Sequence, residues 1–96
     1  MSAGKIENYL GFAKKSNSIL FGFDAIKSSK KRIYCVIIGC DILEKLETKV
    51  RNICKQRKIP IKKLKSSLDD LLHTSNCKVI SIINKNFVGP ILESEE

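Results

Sequence analysis

The chain has 96 residues, a length that supports one hydrophobic core, so we expect a single domain over residues 1–96. Hydrophobic residues make up 43% and charged residues 29%, a globular composition that excludes a disordered chain. No apolar run approaches the roughly 20 residues that cross a bilayer, and the N-terminus lacks a signal-peptide pattern. We therefore expect a cytoplasmic protein with no membrane partner.

The net charge of +8 is distributed unevenly along the chain. Residues 1–66 carry sixteen Lys and Arg against five Asp and Glu, whereas residues 67–96 carry two against five. This asymmetry favours one electropositive surface, for which nucleic acids are the common partner. General solubility is the alternative explanation, because small basic domains exist that bind no particular partner.

The hydrophobic pattern predicts alternating helices and strands, beginning with an amphipathic helix over residues 4–15. In that helix, apolar residues recur at i, i+3, i+4 and i+7 from Ile6 onward. Residues 18–20 allow only a very short strand. The segment after Gly22, residues 23–31, is predicted to form a second helix with an acidic residue in its first turn.

The apolar run IYCVIIGC at residues 33–40 predicts a strand that is covered on both faces, as in parallel and mixed sheets. Asp41 is expected to cap the following helix, which should extend to about residue 58, and Glu44 would complete a capping box. The apolar stripe of this helix is predicted to comprise six residues: Ile42, Leu43, Leu46, Val50, Ile53 and Cys54.

The rest of the chain is predicted to complete the sheet. Residues 59–62 form a short strand, Ser67 caps a leucine-rich helix, and residues 77–84 form the last strand. A terminal turn or short helix, interrupted by Gly89 and Pro90, follows, and the acidic tail ESEE is expected to fray. The order αβαβαβαβα predicts a three-layer α/β/α domain.

No motif for catalysis or metal binding emerges from the sequence, which lacks both Gly-rich phosphate-binding patterns. The four cysteines lack the paired spacing of a zinc site, and the surroundings of Cys35, Cys40 and Cys54 indicate small core residues. A dyad of Cys77 and His73 is conceivable across a helix-to-strand loop, but nothing in the sequence supplies an orienting third group. We predict no enzyme, no metal and no cofactor.

Basic residues flank the segment SNSILFGFDAIK, which contains Gly22. Lysine and arginine near the start of a helix attract phosphates, since the backbone N–H groups there also bind anions. Glycine permits close approach at such a point, although a plain turn at a helix start explains Gly22 equally well. Phosphate contacts are predicted from six residues: Lys14, Lys15, Lys27, Lys30, Lys31 and Arg32.

Five segments, read in order, are similar to a known family: AKKSNSILFGFDAIK, RIYCVIIGCDI, IPI, SLDDLLH and VISIINKNF. The chain resembles, from about residue 6 to residue 92, the kink-turn-binding ribosomal protein superfamily. This family comprises the relatives of ribosomal proteins L-seven-Ae and L-thirty-e, and the likeness is greatest to small bacterial YlxQ-like members. The resemblance implies an α/β/α sandwich with a four-stranded mixed sheet. It also implies a ribosomal or ribonucleoprotein component that binds structured RNA, with ribosomal proteins as further partners.

In that family, the start of the second helix and the loop before it grip RNA, and the loop before the last strand adds apolar contacts. The family's loop pattern is A-[KR]-[KR]-[ST]-G-K-[IL]-x-x-G-x-N-E-x-x-K. The resemblance therefore adds five residues to the predicted RNA site: Asn17, Ser18, Gly22, Phe23 and Asp24. Phe21 and Phe23 could each pack inward or stack on a base.

Departures from the family pattern favour RNA binding in general over recognition of a kink. The base-reading Asn–Glu pair falls on Asp24, which only accepts hydrogen bonds, and on Ala25, which has no hydrogen-bonding group. The polar segment HTSNC at residues 73–77 replaces a more apolar loop. The alternative is a protein-interaction module on the same fold. Its complexes would be insensitive to salt, whereas RNA binding weakens steeply with ionic strength.

Overall fold

The structure, a computed structural model, describes the backbone of residues 2–93 and the side chains of residues 6–93. Helices and strands alternate in the predicted order. The helices are α1 (Ser2–Lys15), α2 (Phe23–Ser28), α3 (Glu44–Arg57), α4 (Leu68–Leu72) and α5 (Lys85–Glu93). The strands are β1 (Ile19–Phe21), β2 (Cys35–Ile38), β3 (Ile61–Lys63) and β4 (Val79–Ile82). The last three residues of the ESEE tail, for which fraying was expected, lie outside the described residues.

The strands form one mixed sheet in the order β1-β4-β2-β3. Strand β4 pairs antiparallel with both β1 and β2, whereas β2 and β3 are parallel. Strand β2 is therefore internal, and all four of its residues are buried, as the continuous apolar run predicts. The predicted α/β architecture with a four-stranded mixed sheet is confirmed.

Helices cover both faces of the sheet because successive strand residues point to opposite sides. Cys35 and Ile37 of β2 pack with residues of α1, α4 and α5, whereas Val36 and Ile38 pack with residues of α2 and α3. The amphipathic α1 contributes Ile6 and other residues of its predicted stripe to the first cluster. The molecule is thus a three-layer α/β/α sandwich.

Helix α2 ends at Ser28, three residues earlier than predicted. Its final carbonyl groups are satisfied from outside the helix, because the Arg57 guanidinium donates to the Ile26 carbonyl at 2.5 Å and to the Lys27 carbonyl at 3.4 Å. Ser29 then adopts an extended conformation, with φ −63° and ψ 131°. A side chain 31 positions away along the chain thus caps the end of this helix.

The predicted capping box of α3 is wrong. The helix begins at Glu44, and its N-cap is Leu43, which makes no side-chain capping hydrogen bond. The Asp41 carboxylate instead binds the Lys78 ammonium at 2.5 Å. Leu43 was also expected in the buried stripe, but this residue is 73% exposed. Ser67, by contrast, caps α4 as predicted.

Two further predictions fail near the ends of elements. Cys40 is exposed, because the chain leaves the sheet after Ile38, whereas the other three cysteines are buried. Helix α5 continues through Gly89 and Pro90, where an interruption was expected. Proline removes one backbone donor, but Ile91 beyond it is fully buried, and this packing favours the continuous helix. No helix within residues 2–93 is long and apolar enough to span a membrane.

Candidate nucleic-acid interface

The structure separates the predicted binding residues into two groups at opposite ends of β4. The Gly22 N–H donates to the carbonyl of Val79, the first residue of β4, whereas the Tyr34 N–H donates to the carbonyl of Ile82, the last. Strands rise about 3.3 Å per residue, which places these points roughly 10 Å apart along the strand. Lys31 and Arg32 come shortly before Tyr34 in the sequence. They therefore lie at the end of β4 that is far from Gly22.

The first group surrounds a cavity of about 480 Å³, which we call the groove. It lies between the end of β1 and the loop that joins α4 to β4. Its lining consists of Lys14, Phe21, Gly22, Thr74, Ser75, Asn76, Cys77, Lys78 and Val79. The two loops that the family resemblance assigns to RNA binding thus share one concave surface.

The α4–β4 loop is held in place by Asp69. Its Oδ1 atom accepts hydrogen bonds from the Cys77 N–H and from the Thr74 hydroxyl, each at 2.8 Å. The backbone hydrogen bond from Cys77 is the largest cause that lowers the pKa of the Asp69 carboxyl. His73 and Asn76 adopt left-handed conformations, with φ of 56° and 57°. The polar segment 73–77 is therefore an ordered wall of the groove.

The two phenylalanines that flank Gly22 differ in their surroundings. Phe23 is partly buried and packs against the α2–α3 side of the core, and the Lys27 ammonium lies 5.6 Å from its ring centre. Phe21 is 47% exposed and lines the groove. Of the two rings, Phe21 is thus the one that faces the groove, although the predicted site contained Phe23.

Gly22 has φ 90° and ψ 163°, a conformation essentially restricted to glycine. A Cβ atom at this position would meet nothing within 4 Å, so the constraint is conformational rather than steric crowding. Gly22 is the N-cap of α2. Its own N–H is already hydrogen-bonded to Val79 at 3.0 Å and is not free for a ligand.

Both lysines that line the groove hold protein partners. The Lys14 ammonium donates to the Leu72 carbonyl at 2.9 Å. Lys78 binds Asp41 and lies 3.8 Å from Asp69, and the hydrogen bond to Asp41 raises the pKa of Lys78. The positive charge of Lys78 is therefore largely compensated at this end of the sheet.

Three further predicted residues have different roles. Asn17 is exposed, and its φ of 56° shows that it adopts the left-handed conformation that allows it to replace a glycine. Asp24 is exposed in the first turn of α2. Ser18, however, is only 5% exposed, and its hydroxyl pairs with that of Ser16 at 2.9 Å. Its side chain thus lies mostly beneath the surface, and its role as an RNA contact stays a prediction.

Lys15 is exposed next to the groove and lines a smaller cavity of about 370 Å³, together with Lys14 and His73. Lys27 is exposed on α2, and Lys30 is exposed just beyond the end of this helix. These lysines leave a positive border around α2.

The second group forms what we call the basic pocket, a cavity of about 440 Å³. Its lining consists of Lys31, Arg32, Ile33, Tyr34, Arg57, Lys58, Ile59 and Pro60. The Arg32 guanidinium lies 5.2 Å from the Tyr34 ring centre, within cation–π range. Sequence reasoning missed Tyr34, Arg57 and Lys58. The sequence does show a basic pair, Arg57 and Lys58, just before the predicted strand at residues 59–62. Because β2 and β3 are parallel, their N-terminal ends lie at the same edge of the sheet, and this pair therefore lies beside Lys31 and Arg32.

The Cys77–His73 hypothesis gains no support from the local chemistry. Cys77 is buried, and this burial is the main cause that raises the pKa of its thiol above the usual value. Burial likewise raises the pKa of Cys35 to about 12. Thiols with raised pKa values stay protonated at neutral pH and are weak nucleophiles. Within residues 6–93, no group of three or more His, Cys, Asp or Glu side chains is arranged to hold a metal.

No protein-family model matches the chain, and no curated protein does. Among solved structures, the chain is similar to a protein of unknown function from Bacillus halodurans C. The two share 21% sequence identity and superpose with a TM-score of 0.77, over 93% of this chain and 98% of the other. At this identity, the likeness establishes the fold alone.

Proposed function

We propose that the protein is a non-enzymatic RNA-binding protein that grips structured RNA at the groove, as a component of the ribosome or of another ribonucleoprotein. The principal observation is Phe21, an aromatic ring 47% exposed beside Gly22 and Lys14 on one concave surface. The sequence resemblance to the kink-turn-binding superfamily supports the proposal, because it assigns this same loop to RNA.

The groove combines features that suit an unstacked base. Base-on-aromatic stacking contributes about 1–3 kcal/mol per base, and an exposed ring such as Phe21 offers a face for it. Gly22 has no side chain to obstruct the approach of a sugar or phosphate to the backbone. The fixed α4–β4 loop, held by Asp69, supplies polar groups without further ordering on binding.

At the groove itself, electrostatic attraction would come mainly from the lysines at its border. Lys15 and Lys27 are exposed, and no ion pair in the described part of the chain includes either of them. With a net charge of +8, the protein also attracts polyanions at long range. Each lysine that neutralises a phosphate releases counterions, so affinity should fall as salt rises.

Charge reversal on α1 tests this function. The double variant Lys14→Glu/Lys15→Glu should bind RNA more weakly than wild type at low salt in an electrophoretic shift assay. The probes are an RNA duplex with a kink-turn and a straight duplex of equal length. The matched control is Lys45→Glu/Lys49→Glu, which reverses two exposed lysines of α3 that line neither the groove nor the basic pocket. Equal binding by wild type and the α1 variant would contradict the proposal.

A protein-interaction module remains the second candidate because two large apolar side chains are exposed away from the groove. Phe12 is 59% exposed and Leu43 is 73% exposed. Complexes formed on such side chains would be nearly insensitive to ionic strength. RNA binding should instead show a linear fall of log affinity with log salt. Salt titration of any isolated complex therefore separates the two functions.

A further inference from the structure

We propose that the basic pocket is a second RNA-backbone site, so that one protein holds two separate stretches of RNA. This inference rests on the proposed function and extends it to a surface that the family resemblance does not assign. The residues concerned are Lys31, Arg32, Tyr34, Arg57, Lys58 and Pro60.

Two chain segments bring their cations together at this edge of the sheet. Lys31 and Arg32 precede β2, whereas Arg57 and Lys58 end α3 just before β3. Strands β2 and β3 are parallel, so their N-terminal ends lie side by side, and the Val36 N–H donates to the carbonyl before β3 at 2.9 Å. The fold itself therefore concentrates four positive side chains around one cavity.

No acidic residue lines the basic pocket, and every ion pair found in residues 6–93 lies elsewhere. Like charges held close together repel one another, and an anion between them offsets that repulsion. The negative end of the α3 dipole stabilises Arg57 and Lys58, but it does not account for Lys31 and Arg32. An external anion would offset the repulsion across the whole cluster.

Arg57 is oriented in advance for such an anion. Its guanidinium has five N–H donors, and contacts to the Ile26 and Lys27 carbonyls use two of them. The remaining donors are held in a fixed plane by those contacts, which lowers the entropy lost on binding a phosphate. Arg32, which lies over the Tyr34 ring, is similarly restrained.

An RNA backbone fits this pocket better than a small ligand does. Lys31, Arg32, Arg57 and Lys58 are all exposed, so none is a buried polar group that would fix the orientation of a small molecule. Exposed cations around an open concavity are typical of contacts that position a phosphodiester chain without reading sequence.

The basic pocket and the groove cannot share the same phosphates, since they lie at opposite ends of β4. Helix α2 runs between them, from its N-cap Gly22 at the groove to its last carbonyls at Arg57. Two stretches of one folded RNA, or of two RNAs, could therefore be held at once.

A bridging assay tests the inference with the full chain. One biotinylated RNA duplex carrying a kink-turn is immobilised, and a second, fluorescent straight duplex is added with the protein. Wild type should retain the fluorescent duplex. Lys31→Gln/Arg32→Gln should still bind the immobilised RNA but retain about tenfold less of the second.

Lys58→Asn provides an independent variant on the other segment. Lys58 adopts the left-handed conformation, with φ 57°, which asparagine also tolerates, so the charge is lost while the end of α3 is kept. The control is Lys45→Gln/Lys49→Gln, which removes two charges from the opposite part of α3 and should bridge like wild type. Thermal unfolding confirms that each variant is folded.

The outcomes separate the two proposals. Loss of bridging in both pocket variants, with immobilised binding kept, supports the second site. Binding of the immobilised duplex by wild type without any bridging overturns the second site and leaves the groove function intact. Bridging that persists in both pocket variants also overturns it. Absence of all RNA binding by wild type overturns the proposed function and, with it, this inference.

Discussion

In the groove, the cations already have partners: Lys14 donates to a backbone carbonyl, and Lys78 is paired with Asp41. In the basic pocket, Lys31, Arg32 and Lys58 have no acidic partner among residues 6–93. The groove has instead an exposed aromatic ring and an ordered loop. The groove at one end of the sheet thus offers mainly a shaped surface for RNA, whereas the basic pocket at the other end offers mainly positive charge.

This contrast separates two contributions to RNA affinity. Stacking and backbone contacts in the groove depend weakly on salt, because they release few counterions. Phosphate contacts in the basic pocket should carry most of the salt dependence. Counting lysines near Gly22 in the sequence therefore overstates the charge available at the groove and understates that at the opposite end.

The largest effect is expected from Gly22→Ala, which should disable the groove alone. The φ and ψ angles of Gly22 cost a residue with a side chain about 1–3 kcal/mol, so the free energy of unfolding should fall by that amount. Urea unfolding measures this loss, and gel shift should show weaker binding with an undiminished salt slope.

Gly89→Ala is the matched control. Gly89 lies inside α5 with open space around it, so alanine there should stabilise the helix by about 0.5–1 kcal/mol. If Gly22→Ala were as stable as wild type and bound RNA equally well, the groove would have no special dependence on this conformation.

Phe21→Ala should weaken RNA binding by about 1–3 kcal/mol, the contribution of one stacked base. Because the ring is 47% exposed, stability should change far less than affinity. Phe12→Ala removes an aromatic ring of similar exposure that lines no described cavity, and it should leave affinity unchanged. Fluorescence anisotropy with labelled RNA gives both values. Equal losses for the two variants would argue against stacking in the groove.

Features set by neighbouring residues were predictable from the sequence. The buried strand β2 follows from a continuous apolar run, the stripe of α1 from its spacing, and the Ser67 cap from a polar residue before a leucine-rich segment. In each case, the residues that determine the feature lie within one element or next to it. Local physical chemistry was sufficient for these predictions.

Features set by distant partners were not predictable in this way. Asp41 is a plausible helix cap by sequence, but its carboxylate is bound by Lys78, which lies 37 positions away along the chain. Arg57 caps the Ile26 carbonyl near the end of α2 from 31 positions away. Lys31 and Arg32 follow the predicted binding loop in sequence, yet strand pairing carries them to the other end of the sheet. Sequence proximity alone therefore could not show that the predicted site consists of two surfaces.

A smaller effect is expected from Asp41→Asn, which would make the groove more similar to the basic pocket. Loss of the carboxylate leaves the Lys78 ammonium with the longer 3.8 Å contact to Asp69, so it can more readily contact a phosphate. RNA affinity should then rise at low salt, and the salt slope should steepen by about 0.9, the value for one added contact. Glu44→Gln removes the same charge at an exposed position that lines neither cavity and should change the slope less. An unchanged slope in Asp41→Asn would show that Lys78 does not reach the RNA.

The smallest effect concerns the pH dependence of the carboxylate that orders the groove. Hydrogen bonds, chiefly from the Cys77 N–H, lower the pKa of Asp69 below its usual 3.8 in the folded state. Its stabilising contribution is therefore complete above pH 3.8 and is lost as the pH falls through the lower, folded pKa. Asp69→Asn removes this titration, so its stability deficit against wild type should shrink in urea unfolding as the solution is acidified.

Asp70→Asn is the matched control, since no described ion pair or hydrogen bond includes the Asp70 carboxylate. A deficit for Asp69→Asn that stayed constant on acidification would contradict the assigned role of the carboxylate. Hydrogen exchange of the Cys77 amide locates the effect, because protonation of Asp69 weakens the bond that this amide donates. In acid, exchange of the Cys77 amide should therefore accelerate relative to its intrinsic rate. The Tyr34 amide, which donates to β4 next to the basic pocket, should keep its protection. Equal loss of protection at both amides would mean that acid unfolds the sheet as a whole and that the two ends do not respond independently.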